Sequence, residues 1–298
     1  MQHILNKKFN KICLDLCNSI IDFAKETNMF DSITLFGSYS EEGKRLNKLN
    51  DIDLLIILKK MDFINYNFVI GFLEKFVRVR SNKEIGLRVE KRYGPFLEKM
   101  KSKITINIHA IIFDVKTFQD YVNKNPLAVH TFIDKKPIFG KSIHTMIKNR
   151  ALTKEDIKSA RLGIDFYLKT IETGYGEYLT VVFDKNNEPI WKPEKINISK
   201  EQQLINLAKS LKFSFQYIWL YAKQQGFTND QFDDCLFAKR LLTRREILDY
   251  FKIKRLDKRA RQGKIPSYHT RERVKINTLG ILHKIRKELD SSFEVSFR

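Results

Sequence analysis

The chain has 298 residues, 43% of them hydrophobic, with 55 basic against 35 acidic side chains and a formal net charge of +20. That length exceeds a typical single domain and that apolar share is ample for packed cores, so two or three domains are expected, with a polyanion such as nucleic acid as the leading partner. Three cysteines with no Cys-x-x-Cys pair exclude a disulfide framework or a zinc site, no stretch approaches membrane-spanning length, and the start MQHILNKKFN lacks a long apolar core before a cleavage site, so a soluble cytoplasmic protein is expected.

In chain order, apolar residues at helical spacing from Ile4 to Thr27, among them Ile12, Leu16, Ile20 and Phe23, predict a helix that packs on a sheet. Cys13 and Cys17, one turn apart in that pattern, read as core residues. A strand Ile33–Phe36 follows, then Gly37-Ser38, a polar loop, and a second strand Ile52–Leu58 entered through Asp51 and Asp53. Side chains alternate along a strand, so Asp51 and Asp53 share one face while Ile52 and Leu54 share the other. Two neighbouring carboxylates beside an apolar run repel each other, and a hard divalent cation is the economical partner for them. Gly37 then provides a side-chain-free turn and Ser38 a hydroxyl for phosphate oxygens. Asp-x-Asp alone is common in loops. Its combination with an apolar strand, Gly-Ser and the apolar run Leu54–Leu58 is much rarer.

Gly37-Ser38 followed by Asp51-Ile52-Asp53 resembles the signature of the DNA polymerase β-like nucleotidyltransferase superfamily, particularly its minimal and antibiotic-modifying members. The resemblance covers roughly the first half of the chain. It implies an α+β fold with a mixed sheet flanked by helices, a nucleoside triphosphate (NTP) contacted by Gly37 and Ser38, and Mg2+ (or Mn2+) held by Asp51 and Asp53. In that family a third acid on a later strand helps bind one metal and activate the attacking hydroxyl. On the strand Ile104–Phe113 the matching position looks like Asn107, two residues before His109. Asparagine can ligate through its amide oxygen, but it brings no charge and cannot act as a general base. His109 is then the candidate to take the proton, although a His in an apolar strand is more often a hydrogen-bonded core residue.

Between these strands a helix is expected from about Asn67 to Val79, and Lys91 with Arg92 reads more readily as a solvated face than as a phosphate contact. Asp114 closes its strand and caps a helix Val115–Val122. Pro137 and Gly140 mark a turn, and a boundary near residue 150 ends a first domain, 1–150. A helical domain, 151–235, is expected to hold a helix through Ile171, a loop with a possible hairpin around Asn186-Asn187, and a helix from about Lys200 to Gln225. Phe213, Phe215, Tyr217, Trp219 and Tyr221 on that last helix read as core.

From Lys239 to Arg298 there are 18 basic and 7 acidic side chains. LTRREILDYFKI, RLDKRARQGKIPSYHTRERVKI and a helix Leu279–Leu289 resemble the small winged-helix domains of excisionases and MerR-type regulators. The resemblance implies a third domain, 236–298, with a Thr243–Glu246 capping box, with Arg255, Lys258, Arg259 and Arg261 on a second helix, and with Arg271, Arg273 and Lys275 on a basic hairpin. The whole predicts transfer of a nucleoside monophosphate from an NTP to a hydroxyl, with a nucleic acid such as tRNA as acceptor. The alternatives are an aminoglycoside or lincosamide acceptor, and a degenerate transferase fold acting as a DNA-binding regulator or antitoxin.

Overall fold

The computed structural model describes residues 2–37, 51–83, 85–93, 104–125, 135–147, 154–198, 200–223, 242–260 and 264–296. The first half is α1 (Gln2–Thr27), β1 (Phe30–Phe36), β2 (Ile52–Leu58), α2 (Phe63–Arg80), β3 (Ile85–Glu90), β4 (Ile104–Asp114), α3 (Val115–Lys124) and β5 (Pro137–Gly140). Its five strands form one mixed sheet in the order β3-β4-β2-β1-β5. β1 runs antiparallel to β2 and β5, while β4 runs parallel to β2 and β3. The α+β architecture, a mixed sheet flanked by helices, is therefore as expected.

β2 is buried from Leu54 to Leu58 because both faces of this central strand are covered. Ile52, Leu54, Ile56 and Leu58 pack with Ile106, Ile108, Ala110 and Ile112 of β4 against α1 and α2. Leu55 and Ile57 face the other way, with Ile111 and Phe113, against Phe118 and Val122 of α3. Asp51 and Asp53 continue the row of Leu55 and Ile57, so the acids end an apolar face.

Local signals place most element ends. α2 starts at Phe63, earlier than the apolar pattern indicates, because the Asp62 carboxylate accepts from Asn65 N at 2.9 Å. Asp114 does cap α3, accepting from Thr117 N at 2.8 Å. β3 is a strand that the charged character of its segment conceals.

The second half is α4 (Lys154–Thr173), β6 (Tyr175–Phe183), β7 (Pro189–Asn197), α5 (Lys200–Lys223), α6 (Arg244–Ala260) and α7 (Tyr268–Ser296). The hairpin is real and longer than a loop: β6 and β7 pair over nine positions, with Asn187 in the left-handed region at φ 62°. Val181, Phe183 and Trp191 of this hairpin pack on the sheet of the first half. α4 to α7 share one core, which includes Ile164, Leu211, Phe215, Ile253 and Leu282. Residues on both sides of the expected boundary at 235/236 thus belong to one packed unit, while the boundary itself lies outside the described residues. The side chains of Tyr217, Trp219 and Tyr221 also lie outside them.

The expected basic hairpin is replaced by helix. Arg271, Arg273 and Lys275 sit in the first turns of α7, which begins at Tyr268 rather than at Leu279. The physical reason is periodicity: Val274, Thr278, Ile281, Leu282, Ile285 and Leu289 recur at helical spacing and are all buried. Ser267, just after Pro266, opens the helix, its carbonyl accepting from Arg271 N at 3.1 Å. The Thr243–Glu246 capping box is present: Glu246 Oε2 accepts from Thr243 N at 2.6 Å, and Thr243 Oγ1 accepts from Glu246 N at 3.3 Å. Lys284 of α7 donates to the same carboxylate at 2.9 Å, so the box also ties α6 to α7. Thr243→Ala should lower stability by about 1 kcal/mol, measured by chemical denaturation. No helix among the described residues is long and apolar enough to cross a membrane.

Candidate active site

β2 and β4 are in parallel register with Asp53 opposite His109, which also sets Asp51 beside Asn107 two residues earlier. Each acid is held by one β4 side chain. Asn107 Nδ2 donates to Asp51 Oδ1 at 3.2 Å, and His109 Nδ1 lies 3.2 Å from Asp53 Oδ1. A carboxylate accepts only, so the amide nitrogen is the Asn107 atom that faces Asp51. Asn107 therefore supplies a donor where the family resemblance implies a third negative charge. Asn107 and His109 are both buried, while Asp51 and Asp53 are partly open.

The small-residue bend also converges here. Phe36 pairs with Asp53 across β1 and β2, so Gly37 arrives against the Asp53 side chain. Gly37 has φ +69°, and a Cβ on it would stand 2.2 Å from Asp53 Oδ2. Two separate constraints thus demand glycine: the left-handed backbone and the carboxylate in the way. Ser38 lies outside the described residues.

Three residues that the sequence does not mark as site members complete the surroundings. His109 Nε2 lies 3.1 Å from the Arg92 carbonyl, which only accepts, so Nε2 donates, and the contact of Nδ1 with Asp53 Oδ1 is a hydrogen bond through a proton shared between those two atoms. Both ring nitrogens are engaged, and His109 is not open to take a proton from a substrate. Arg92 is fastened in turn by Glu90, whose Oε1 accepts from Arg92 Nε at 2.7 Å and whose Oε2 accepts from the same guanidinium at 2.7 Å. Arg88 donates to Glu90 as well. Arg92 is thus a structural partner of Glu90, and Lys91 pairs with Glu74 at 2.6 Å at the surface. The third is Lys209 of α5, whose charge acts on Asp53 from the helical half.

The electrostatics follow from this packing. Burial pushes the Asp53 carboxyl above its ordinary value, with Asp51 adding to the push and with His109 and Lys209 opposing it. For Glu90 burial also acts upward, but the bonds and charges of Arg92 and Arg88 outweigh it and bring the carboxyl down to about 2. A depressed folded value means that the Glu90 contribution is complete above pH ~4.5 and is lost as pH falls toward about 2. Acid unfolding of Glu90→Gln should therefore lack a stabilisation of roughly 3 kcal/mol that the wild type loses across that window. Asp53 works in the opposite sense, because its ionisation costs the metal-free fold stability as pH rises through its raised value.

Among the described residues no group of three or more His, Cys, Asp or Glu side chains is placed to hold a metal ion by itself. Two carboxylates do suit Mg2+, which is commonly held by one or two carboxylates together with substrate phosphates. Farther along the same sheet face, a cavity of about 620 Å³ lies between α3, α4 and the β6–β7 hairpin. Phe113, Tyr121, Phe166 and Trp191 line it, with Asp120 and Glu177 among the polar groups. Phe113 is four residues beyond His109 on β4, about 13 Å along the strand, while Tyr93, the neighbour of Arg92, also lines the cavity.

Of the basic residues expected to touch nucleic acid, Arg255 and Arg259 are exposed on α6 and Arg273 is exposed on α7. Arg271 and Lys275 are partly buried, with Lys275 Nζ donating to the Glu172 carbonyl at 3.4 Å. Arg261 and the Lys258 side chain lie outside the described residues.

No protein-family model matches the chain, and no curated protein matches its sequence. Among solved structures, the chain is similar to spectinomycin adenyltransferase AAD(9) from Enterococcus faecialis, crystallised with ATP and spectinomycin. The likeness covers 90% of this chain and 97% of that one, at 13% identity and a TM-score of 0.45.

Proposed function

We propose that this chain is a metal-dependent nucleotidyltransferase that moves a nucleoside monophosphate from an NTP to a hydroxyl. The observation that carries this reading is the meeting of Gly37 with the Asp53 carboxylate, on the same side of the sheet as Asp51. Asp51 and Asp53 would hold the divalent cation, which when bound neutralises phosphate charge and polarises the reacting phosphoryl group. Gly37 would offer backbone without a side chain to phosphate oxygens close to the acids, a role the family resemblance also gives to Ser38. The charge of Lys209 also favours an anion at Asp53 and would favour phosphate there. The acceptor hydroxyl attacks the α-phosphorus, the bond to pyrophosphate breaks, and the hydroxyl proton must leave. Asn107 cannot accept it and both nitrogens of His109 are engaged, so among these four side chains only the Asp51 and Asp53 carboxylates remain as acceptors.

The acceptor has two supported readings. A polynucleotide fits the net charge of +20 and the exposed Arg255, Arg259 and Arg273. A small cationic acceptor, such as an aminoglycoside, fits the cavity with its aromatic walls and the carboxylates of Asp120 and Glu177. A DNA-binding regulator on a degenerate transferase fold loses its main support with the hairpin, which is helical.

Incubating the full chain with Mg2+, α-labelled NTPs and either bulk RNA or a panel of aminocyclitols reads out transfer and acceptor together. No label on any acceptor, with no metal-dependent NTP binding, would remove the proposal. Lys209→Ala should raise the KM for NTP by about tenfold with a smaller change in kcat, because it removes a charge that binds phosphate in ground and transition states alike.

A further inference from the structure

We infer that Glu90 is a positioning residue that acts through Arg92 and His109 to hold the Asp53 carboxylate in the orientation the site needs. The inference deepens the nucleotidyl-transfer reading and rests on it for its catalytic consequence.

The chain of contacts is continuous. Glu90 ends β3 directly opposite His109 in the β3–β4 register. Its carboxylate folds onto the residues that follow, accepting from Arg92 N at 3.1 Å and from Nε and Nη2 of the Arg92 guanidinium. Residues 91 and 92 have left the strand, and the peptide that carries the Arg92 carbonyl is held on its far side by Tyr93 N, which donates to the Leu179 carbonyl at 2.8 Å. The Glu90 carboxylate holds the near side, gripping Arg92 by backbone and side chain together. The Arg92 guanidinium also rests over the Tyr178 ring, 5.3 Å from its centroid. The carbonyl that this grip aims is the one accepting from His109 Nε2, which directs Nδ1 at Asp53 Oδ1. Asp53 Oδ2 is then turned toward Gly37 and the place assigned to phosphate.

Glu90 is 3% exposed. A buried glutamate with two half-buried arginines at the end of a sheet adds little net stability over an apolar packing of the same volume, whereas it fixes one geometry well. Partners one shell removed from a metal ligand set the ligand's orientation, and losing them typically weakens metal binding by about 10- to 100-fold.

The test uses the full chain with 15N-labelled histidine rings. The chain has six histidines, and the His109 signals are those missing from the spectrum of His109→Gln. In the wild type the His109 ring should show a single state with Nε2 as the donor. Arg92→Lys and Glu90→Gln should mix the two tautomers, because the forked pair that aims the carbonyl is gone. Arg88→Ala should leave the His109 signals in place, since Arg88 reaches Glu90 without touching Arg92. Binding of Mn2+ with a non-hydrolysable NTP, followed by electron paramagnetic resonance, should weaken about tenfold in Arg92→Lys and Glu90→Gln and stay unchanged in Arg88→Ala.

Unchanged His109 signals in a folded Glu90→Gln and Arg92→Lys would overturn the inference, even where transfer falls. If Glu90→Gln does not fold, Arg92→Lys decides alone. The ring signals need no turnover, so a wild type that shows the single state, loses it in Arg92→Lys and transfers no nucleotide would refute the nucleotidyltransferase reading while leaving the orienting chain intact.

Discussion

Asp51→Asn and Asp53→Asn should each lower nucleotidyl transfer by on the order of 10³-fold, since either change removes one of two charges facing the cation. Stability should move differently. Burial and the neighbouring Asp51 both disfavour the ionised form of Asp53, so Asp53→Asn should raise the melting temperature of the metal-free chain. Asp51→Asn keeps an oxygen to accept from Asn107 Nδ2 and should leave the metal-free melting temperature close to that of the wild type. Mg2+ should stabilise the wild type in the presence of NTP and fail to stabilise either variant. Thermal melting with and without Mg2+ and NTP, beside the transfer assay, checks both halves. Transfer retained within tenfold in the double variant would show that the acids do not carry the reaction.

Gly37→Ala should be nearly as damaging to transfer and far more damaging to the fold. Its new methyl would meet Asp53 Oδ2 at 2.2 Å, and the backbone at φ +69° disfavours any Cβ. Relieving that contact means moving either β1 or the carboxylate that His109 holds. Together the two effects should cost about 2–4 kcal/mol and at least a hundredfold in transfer. The contact can be isolated in an Asp53→Ala background, where only the left-handed backbone penalty of about 1 kcal/mol should remain. Equal penalties in the two backgrounds, measured by denaturant unfolding, would show that Gly37 and Asp53 do not press on each other in solution.

The acids and the glycine were legible in the sequence because their signals are local. Alternation along a strand places Asp51 and Asp53 on one face whatever the strand pairs with, and five apolar residues after them mark a strand covered on both sides. Asn107 and His109 were legible for the same reason, as residues two apart on a second apolar strand. Their roles were less so. Periodicity gives His109 a face, but the Arg92 carbonyl and the Asp53 carboxylate that occupy its nitrogens come from the segment after β3 and from β2.

The C-terminal region shows the converse. Gly-x-Ile-Pro followed by a run of arginines has the composition of a wing, yet Val274, Thr278 and Ile281 at helical spacing carry the segment into the four-helix core. The basic side chains lie on the outer side of that pattern and fit helix and hairpin equally well. Burial of the apolar stripe decides between them, because that is where the free energy lies.

By itself the sequence determined the α+β class, the strand that carries the two acids, the face they share, the glycine bend and the capped helix starts. Each of these follows from spacing within a few residues, where steric and hydrogen-bonding rules act on the chain alone. Only the tertiary structure decided that Glu90 holds Arg92, that the Arg92 carbonyl meets His109, and that α6 and α7 share a core with α4 and α5. Those partners are chosen by strand register and by the burial of whole helix faces. Such contacts join residues far apart in the chain, and their energy exists only once the sheet and the helices have met.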